Sequence, residues 1–223
     1  MERIPEPELM SDPEQARAYA EADFAEPHGR FVAEFRRCFP AEPMDGWVLD
    51  LGCGPGDIVQ RFARAFPACR VDGVDGAEAM LAPGRQAIAA AGLTERVRLI
   101  HGYLPHCRLP RAHYDAVISN SLLHHLNDPM VLWAAIESYA RPGAPVFVMD
   151  LLRPGSPAAA TALVEAYAGE EPEILRRDFY HSLLAAYRPE EIEAQLVTAG
   201  MSHLDLEVIS DRHWLVSGRT QPI

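Results

Sequence analysis

Val48-Leu49-Asp50-Leu51-Gly52-Cys53-Gly54-Pro55-Gly56-Asp57-Ile58 is the stretch that decides how the rest of this chain is read. An apolar strand carrying one acid runs directly into glycines at 52, 54 and 56, and Asp57 then opens a helical pattern. Glycine has no Cβ, so a loop this rich in it turns tightly and lets its backbone approach a ligand. A strand, a glycine loop and a helix in succession form the corner at which open α/β sheets hold nucleotides.

Outward from this corner, strands and helices alternate. Trp47–Leu51, Arg70–Asp75, Val97–Ile100, Ala116–Ser119 and Val146–Leu151 are short apolar runs suited to buried parallel strands. Helical patterns lie between them at Asp57–Phe66, Ala77–Ala91, closed by Gly92, and Asp128–Tyr139. Toward the N-terminus, Ser11 or Asp12 caps a helix starting at Pro13. Pro27-His28-Gly29 is expected to break it, with a second amphipathic helix from Arg30 to Phe39. Beyond Leu151 come an Ala-rich helix (158–168), an apolar, aromatic stretch (179–187) and a helix (189–199) stopped by Gly200. Two strand candidates, His203–Ile209 and His213–Ser217, end the chain. The expected fold is α/β: a doubly wound, mostly parallel seven-stranded sheet with a terminal antiparallel hairpin. Residues 1–45 are expected to form a small N-terminal helical cap, and 46–223 the main domain with a helical insertion at about 155–188.

Composition narrows the function. The 223 residues are 48% hydrophobic and 23% charged, as in globular proteins, with a net charge of −12. That charge disfavours nucleic acid, whose phosphates are neutralised by Lys and Arg; the chain has no Lys at all. No apolar run reaches the roughly 18 residues of a membrane span. The acidic start lacks the basic and apolar regions of a signal peptide. Cys38, Cys53, Cys69 and Cys107 are scattered and form no CxxC, which fits reduced thiols and a cytoplasmic location.

The glycine spacing separates two ligand classes. A dinucleotide loop wants Gly-x-Gly-x-x-Gly, and Asp57 stands where its third glycine belongs. An acid there also repels a pyrophosphate seated on a helix N-terminus. A cationic ligand without phosphate tolerates it. Asp75, at the end of the second strand and 23 positions after Gly52, is placed to accept hydrogen bonds from a ribose diol.

These residues, from about 45 to 151, resemble the class I S-adenosylmethionine (SAM) methyltransferases. The resemblance implies SAM as methyl donor, S-adenosyl-L-homocysteine (SAH) as product and a Rossmann-like sheet. It also implies cofactor contacts from Asp50, Gly52, Cys53, Gly54, Gly56, Asp75, Gly76, Met80, Gly102, Tyr103 and Asn120. Asp50 corresponds to the residue near the methionine amino group, and Met80 to an apolar side chain against adenine. Tyr103 stands where many relatives have an acid that meets the adenine amino group, a departure from the family pattern.

Ser119-Asn120-Ser121-Leu122-Leu123-His124-His125-Leu126 resembles the small-molecule and quinone-modifying branch. The Asn-Pro-Pro-aromatic form used on bases and glutamine is absent. Methyl transfer is an in-line displacement in which alignment does most of the work, and a base is needed only for a protonated acceptor. His124 is the first candidate for that role, since imidazole titrates near neutrality. Tyr180 and His181 are candidates to orient the acceptor, and Tyr19, Phe24, His28, His125 and Phe179 to line its pocket.

The scattered His101, His106, Cys107 and His113 form no zinc tetrad, so no metal is expected. Hydrolase Gly-x-Ser-x-Gly and P-loop motifs are missing. A NAD-linked oxidoreductase and a non-catalytic or partner-dependent SAM-binding protein are the alternative classes.

Overall fold

The structure, a computed structural model, describes residues 1–7, 9–22, 25–105 and 107–221. Seven strands form one sheet in the order β3-β2-β1-β4-β5-β7-β6: β1 (Trp47–Leu51), β2 (Arg70–Asp75), β3 (Val97–His101), β4 (Ala116–Asn120), β5 (Pro145–Leu151), β6 (Asp205–Val208) and β7 (His213–Arg219). β1 to β5 pair in parallel; β7 runs antiparallel to β5, and β6 to β7. The expected α/β sheet and its terminal hairpin are both present.

Alternate residues of each strand feed two cores, as the pleat requires. Val48, Val71, Leu99, Ile118 and Phe147 join Phe31, Phe35 and Phe62 on one face. Leu49, Leu51, Val117 and Val148 join Trp133, Ile136, Ile192 and Trp214 on the other. The first face is covered by α2 (Ala25–Cys38), α3 (Asp57–Ala65) and α4 (Glu78–Ala90), the second by α5 (Met130–Tyr139) and α8 (Pro189–Thr198). Phe31 and Phe35 meet Phe147 edge-on, and Phe62 meets Phe35 likewise, a packing that locks α2 to the sheet and α3 to α2.

The N-terminal helices divide differently from the sequence expectation. α1 is Pro13–Glu21, with Asp12 Oδ1 accepting the Glu14 and Gln15 amides at 2.9 Å. Pro27-His28-Gly29 does not break a helix, because α2 starts at Ala25 and runs through it. Pro27 is the third residue of α2, where the missing N–H has no intrahelical acceptor to lose. The interruption comes earlier, with Ala22 extended after α1. Since Phe31 and Phe35 are fully buried, α2 is part of the sheet's covering layer. Residues 1–7 and α1, by contrast, lie over the C-terminal ends of the strands.

Two further helices follow β5: α6 (Pro157–Ala168) and α7 (Glu173–Ala185). The apolar stretch from Phe179 is the second half of α7, packed on α6 through Leu183, Leu184, Ala160 and Val164. The strand order reverses between β1 and β4, so a crevice opens at their C-terminal ends. α1 and α7 close it, linked by Gln15 Nε2 donating to Asp178 Oδ2 at 2.7 Å.

Candidate active site

The crevice is a cavity of about 720 Å³. One end is the glycine loop. Gly52 and Gly54 adopt φ of 74° and 51°, in the left-handed region that favours glycine. A Cβ on Gly52 would meet the Leu122 side chain at 2.7 Å. The Gly52 and Cys53 amides donate to the Val74 carbonyl at 2.8 and 3.0 Å, folding the loop across β2. Gly56 caps α3 in the left-handed conformation and faces Leu99 and Ile88 rather than the cavity.

Asp75 joins this loop to the next turn. Its Oδ2 accepts the Gly54 amide at 2.9 Å and its Oδ1 the Ala77 amide at 2.8 Å. Burial pushes its carboxyl up, partly offset by those two amides. Asp50 is buried at 1% exposure on the cavity wall, and neither carboxylate oxygen has a hydrogen-bond partner. Desolvation, with Asp75 nearby, holds its pKa well above the carboxylate range. Asn120 Oδ1 is a second buried acceptor without a partner on the same wall. Met80, Gly76, Gly102 and Tyr103 also line this end, as does Cys53. The Gly102 amide donates to the Asp75 carbonyl at 3.0 Å, and the exposed Tyr103 ring packs edge-on to His101.

Asp57 lines the cavity but is engaged: Oδ2 lies 2.6 Å from His28 Nδ1 and 2.7 Å from Arg61 Nε. Burial would raise its pKa; these two partners outweigh that and lower it. His28, expected at the substrate, lines the same cavity with its Nδ1 turned to Asp57 in the first turn of α3.

The other end is built on a short 3-10 helix, Leu123–His125, after β4. Asp150, buried near the end of β5, organises it. Its Oδ2 accepts the Leu123 and His124 amides at 2.6 and 3.3 Å, and its Oδ1 lies 2.5 Å from His124 Nδ1. Burial would depress the His124 pKa, but the charge and hydrogen bond of Asp150, with Glu6, raise it above the imidazole value. His124 Nε2 faces Glu6 Oε1 at 3.5 Å, and His125 Nδ1 faces the same oxygen at 3.2 Å. Burial and the adjacent His124 push His125 down to about 3. Ser182 Oγ donates to Glu6 Oε1 at 3.0 Å, and burial raises the Glu6 pKa.

Tyr19 and Phe179 line the cavity. Burial pushes the Tyr19 hydroxyl up to about 12. Phe24 lies outside the described residues. Tyr180 and His181 do not line the cavity, a correction to their expected role. The cavity face of α7 is Leu175, Asp178, Phe179 and Ser182, the 3.6-residue stripe, which leaves positions 180 and 181 off it. Tyr180 instead borders an outer groove with Val164 and Arg176.

Glu6 and Asp150 were missed by sequence reasoning. Asp150 had a signal, an acid near a strand's C-terminal end like Asp50 and Asp75. Glu6 had none, since its partners lie more than a hundred residues away.

The methyltransferase-domain family matches residues 48–143. An uncharacterized methyltransferase of Mycobacterium tuberculosis is 32% identical over 107 residues, 48% of this chain and 51% of that protein. Trans-aconitate 2-methyltransferase of Escherichia coli O157:H7 is 31% identical over 119 residues, 53% of this chain and 44% of that protein. The chain thus spans about half the length of the curated relatives it matches. Among solved structures, a SAM-dependent methyltransferase from Aquifex aeolicus superposes with a TM-score of 0.67 at 16% identity, covering 93% of this chain and 98% of that one. One described as a putative methyltransferase, from Methanococcus maripaludis, reaches 0.71 at 14% identity, covering 99% and 98%. These two share the fold. Residues 48–143 thus match a methyltransferase domain, set in a sheet that shares its fold with SAM-dependent methyltransferase structures.

Proposed function

We propose that the protein transfers a methyl group from SAM to a small-molecule acceptor. The observation that carries this is one cavity with two chemically distinct ends. At the first, Asp50 presents two unpartnered carboxylate oxygens, and Asp75 keeps lone pairs beyond the two amides it accepts. These suit an ammonium group and a ribose diol, while Met80 offers an apolar wall. The residues present therefore fit the cofactor. When bound, SAM supplies an activated methyl on a sulfonium.

The second end receives the acceptor. Phe179 and Tyr19 give it apolar walls, and Glu6, His124 and His125 give it a polar patch. Transfer to a neutral hydroxyl, amine or acid releases a proton, and this patch is where the cavity offers groups to handle it. Asp150 fixes the His124 ring with Nδ1 engaged and Nε2 directed to Glu6. Residues 1–7, α1 and α7 cover the reaction space, excluding water and orienting the acceptor.

A volume of about 720 Å³ lies within the range of small-molecule sites. The relative named for trans-aconitate points the same way. Cysteines without a disulfide fit a cytoplasmic protein, and no helix of the described residues is long and apolar enough to cross a membrane. Calorimetric titration with SAM, SAH and NAD tests the cofactor; micromolar binding of the first two and none of NAD is expected. Mass-detected methyl transfer to quinols, phenols, thiols and carboxylic acids tests the acceptor. Absence of SAM and SAH binding would end the proposal.

A further inference from the structure

The polar patch at the acceptor end has the features of a metal site. Glu6, His124 and His125 each offer one ligand atom, and the three atoms lie within 4.8 Å of one another. The two separations from Glu6 Oε1 are 3.5 and 3.2 Å. Ligands about 2.0–2.1 Å from a tetrahedral ion stand roughly 3.3 Å apart, so the spacing already suits an ion of zinc size.

Each histidine ring is also held from elsewhere. His124 Nδ1 is held by Asp150, and the Ser182 hydroxyl donates to Glu6. The Pro7 backbone hydrogen-bonds the His125 ring, while His125 Nδ1 is buried with no hydrogen-bond partner. His124 turns Nδ1 to Asp150 and Nε2 to Glu6, so the neutral ring with its proton on Nδ1 offers Nε2 as a ligand. Two imidazole lone pairs and a carboxylate then converge on one point. A single cation placed among them, like a proton shared between them, offsets the repulsion of those lone pairs. A carboxylate behind a ligating histidine is also the usual support that fixes its ring.

We propose that Glu6, His124 and His125 bind one divalent transition-metal ion of the zinc class, with an open coordination position facing the acceptor end of the cavity. Two nitrogens and one carboxylate select such an ion over magnesium or calcium, which prefer all-oxygen sets. Three protein ligands with one open position is the arrangement of catalytic rather than structural zinc. An acceptor hydroxyl or acid filling that position loses its proton to bulk water more readily, because the ion stabilises the oxyanion. The site deepens the proposed function, since it relies on the acceptor lying at this end. It requires the N-terminal segment to be docked, because Glu6 is the ligand that closes the set.

The test uses the full chain, stripped with a chelator and dialysed, then titrated with Zn²⁺ by calorimetry and with Co²⁺ by visible absorption. One equivalent should bind, with the absorption of low-symmetry nitrogen and oxygen ligation for cobalt. Glu6→Gln and His125→Ala should each weaken binding by at least about tenfold. His203→Ala, a histidine outside the cavity, should bind as the unaltered chain does. Absence of saturable binding, or equal affinity in Glu6→Gln and His125→Ala, overturns the site. SAH titration of the same samples reports on folding and on the cofactor reading separately. Ion binding without SAH binding would sink the methyltransferase proposal and leave the metal site standing.

Discussion

Asp75 Oδ2 accepts the Gly54 amide at 2.9 Å, so the acid that ends β2 directly braces the glycine loop that follows β1. The same carboxylate holds the Ala77 amide through its other oxygen. Asp75 therefore shapes the loop before it meets any ligand. Asp75→Asn keeps one acceptor oxygen and loses the other, whereas Asp75→Ala loses both braces and the groups offered to a ribose. Hydrogen bonds to a charged group contribute about 1.5–3 kcal/mol each. SAH affinity should fall by roughly tenfold in Asp75→Asn and by at least about a hundredfold in Asp75→Ala, read by calorimetry. Unchanged affinity in a folded Asp75→Asn protein would remove the acid from the cofactor site.

Asp50 predicts a trade between stability and binding. Its folded-state pKa is raised, by desolvation first and then by Asp75. A raised carboxyl contributes no penalty below its unfolded value near 3.9, where both states are protonated. As pH rises from there through the folded pKa, the folded state loses stability relative to the unfolded one. Asp50→Asn removes that loss. The variant should melt higher than the unaltered apo protein at neutral pH, with the difference vanishing toward about pH 4. It should also bind SAH far more weakly, because the counter-charge for the amino group is gone. Parallel melting curves at all pH values would refute the idea of a buried, strained acid.

The parts of this architecture visible in the sequence were those written in local pattern. β1, β2 and the glycine loop are marked by apolar runs ending in Gly or Asp, so their bounds were readable to within a residue or so. Pro27 misled because a proline at the third position of a helix looks the same as one that ends it. Tyr180 and His181 misled because an aromatic pair announces chemistry, while the face it occupies depends on where α7 begins. Glu6 was illegible for a different reason. Its meaning comes only from His124, His125 and Ser182, which the fold brings to it from distant sequence.

Asp150 binds three elements at one point, the 3-10 helix, the end of β5 and the His124 ring. Asp150→Ala leaves the buried amides of Leu123 and His124 without their acceptor and lets the His124 ring rotate. Breaking a buried charged pair from one side costs about 3–5 kcal/mol, and chemical denaturation should show a loss of that order. Asp150→Asn retains an acceptor for the amides and should lose less stability. Turnover should fall in both variants, since both release the ring. An Asp150→Asn protein with full turnover would mean that the orientation of His124 does not matter to the reaction.

Arg3 determines whether the N-terminal segment is docked. Its guanidinium donates to the carbonyls of Ala185, His124 and Leu126, and it stacks 4.2 Å from the centre of the Tyr187 ring. These contacts tie residues 1–7 to α7 and to the 3-10 helix, and they bring Glu6 to the two histidines. Arg3→Ala removes every one of these hydrogen bonds while leaving the glycine loop untouched. Hydrogen exchange should show the amide of Ile4, which donates to Leu184, losing protection by tenfold or more, on the order of one charge-assisted bond. Turnover should fall with it, because Glu6 leaves the acceptor end when the segment lifts. SAH affinity should change less than turnover does, since Asp50 and Asp75 keep their places. If turnover survives with the segment demonstrably undocked, residues 1–7 are a cover only, and the acceptor chemistry belongs to the histidines without Glu6.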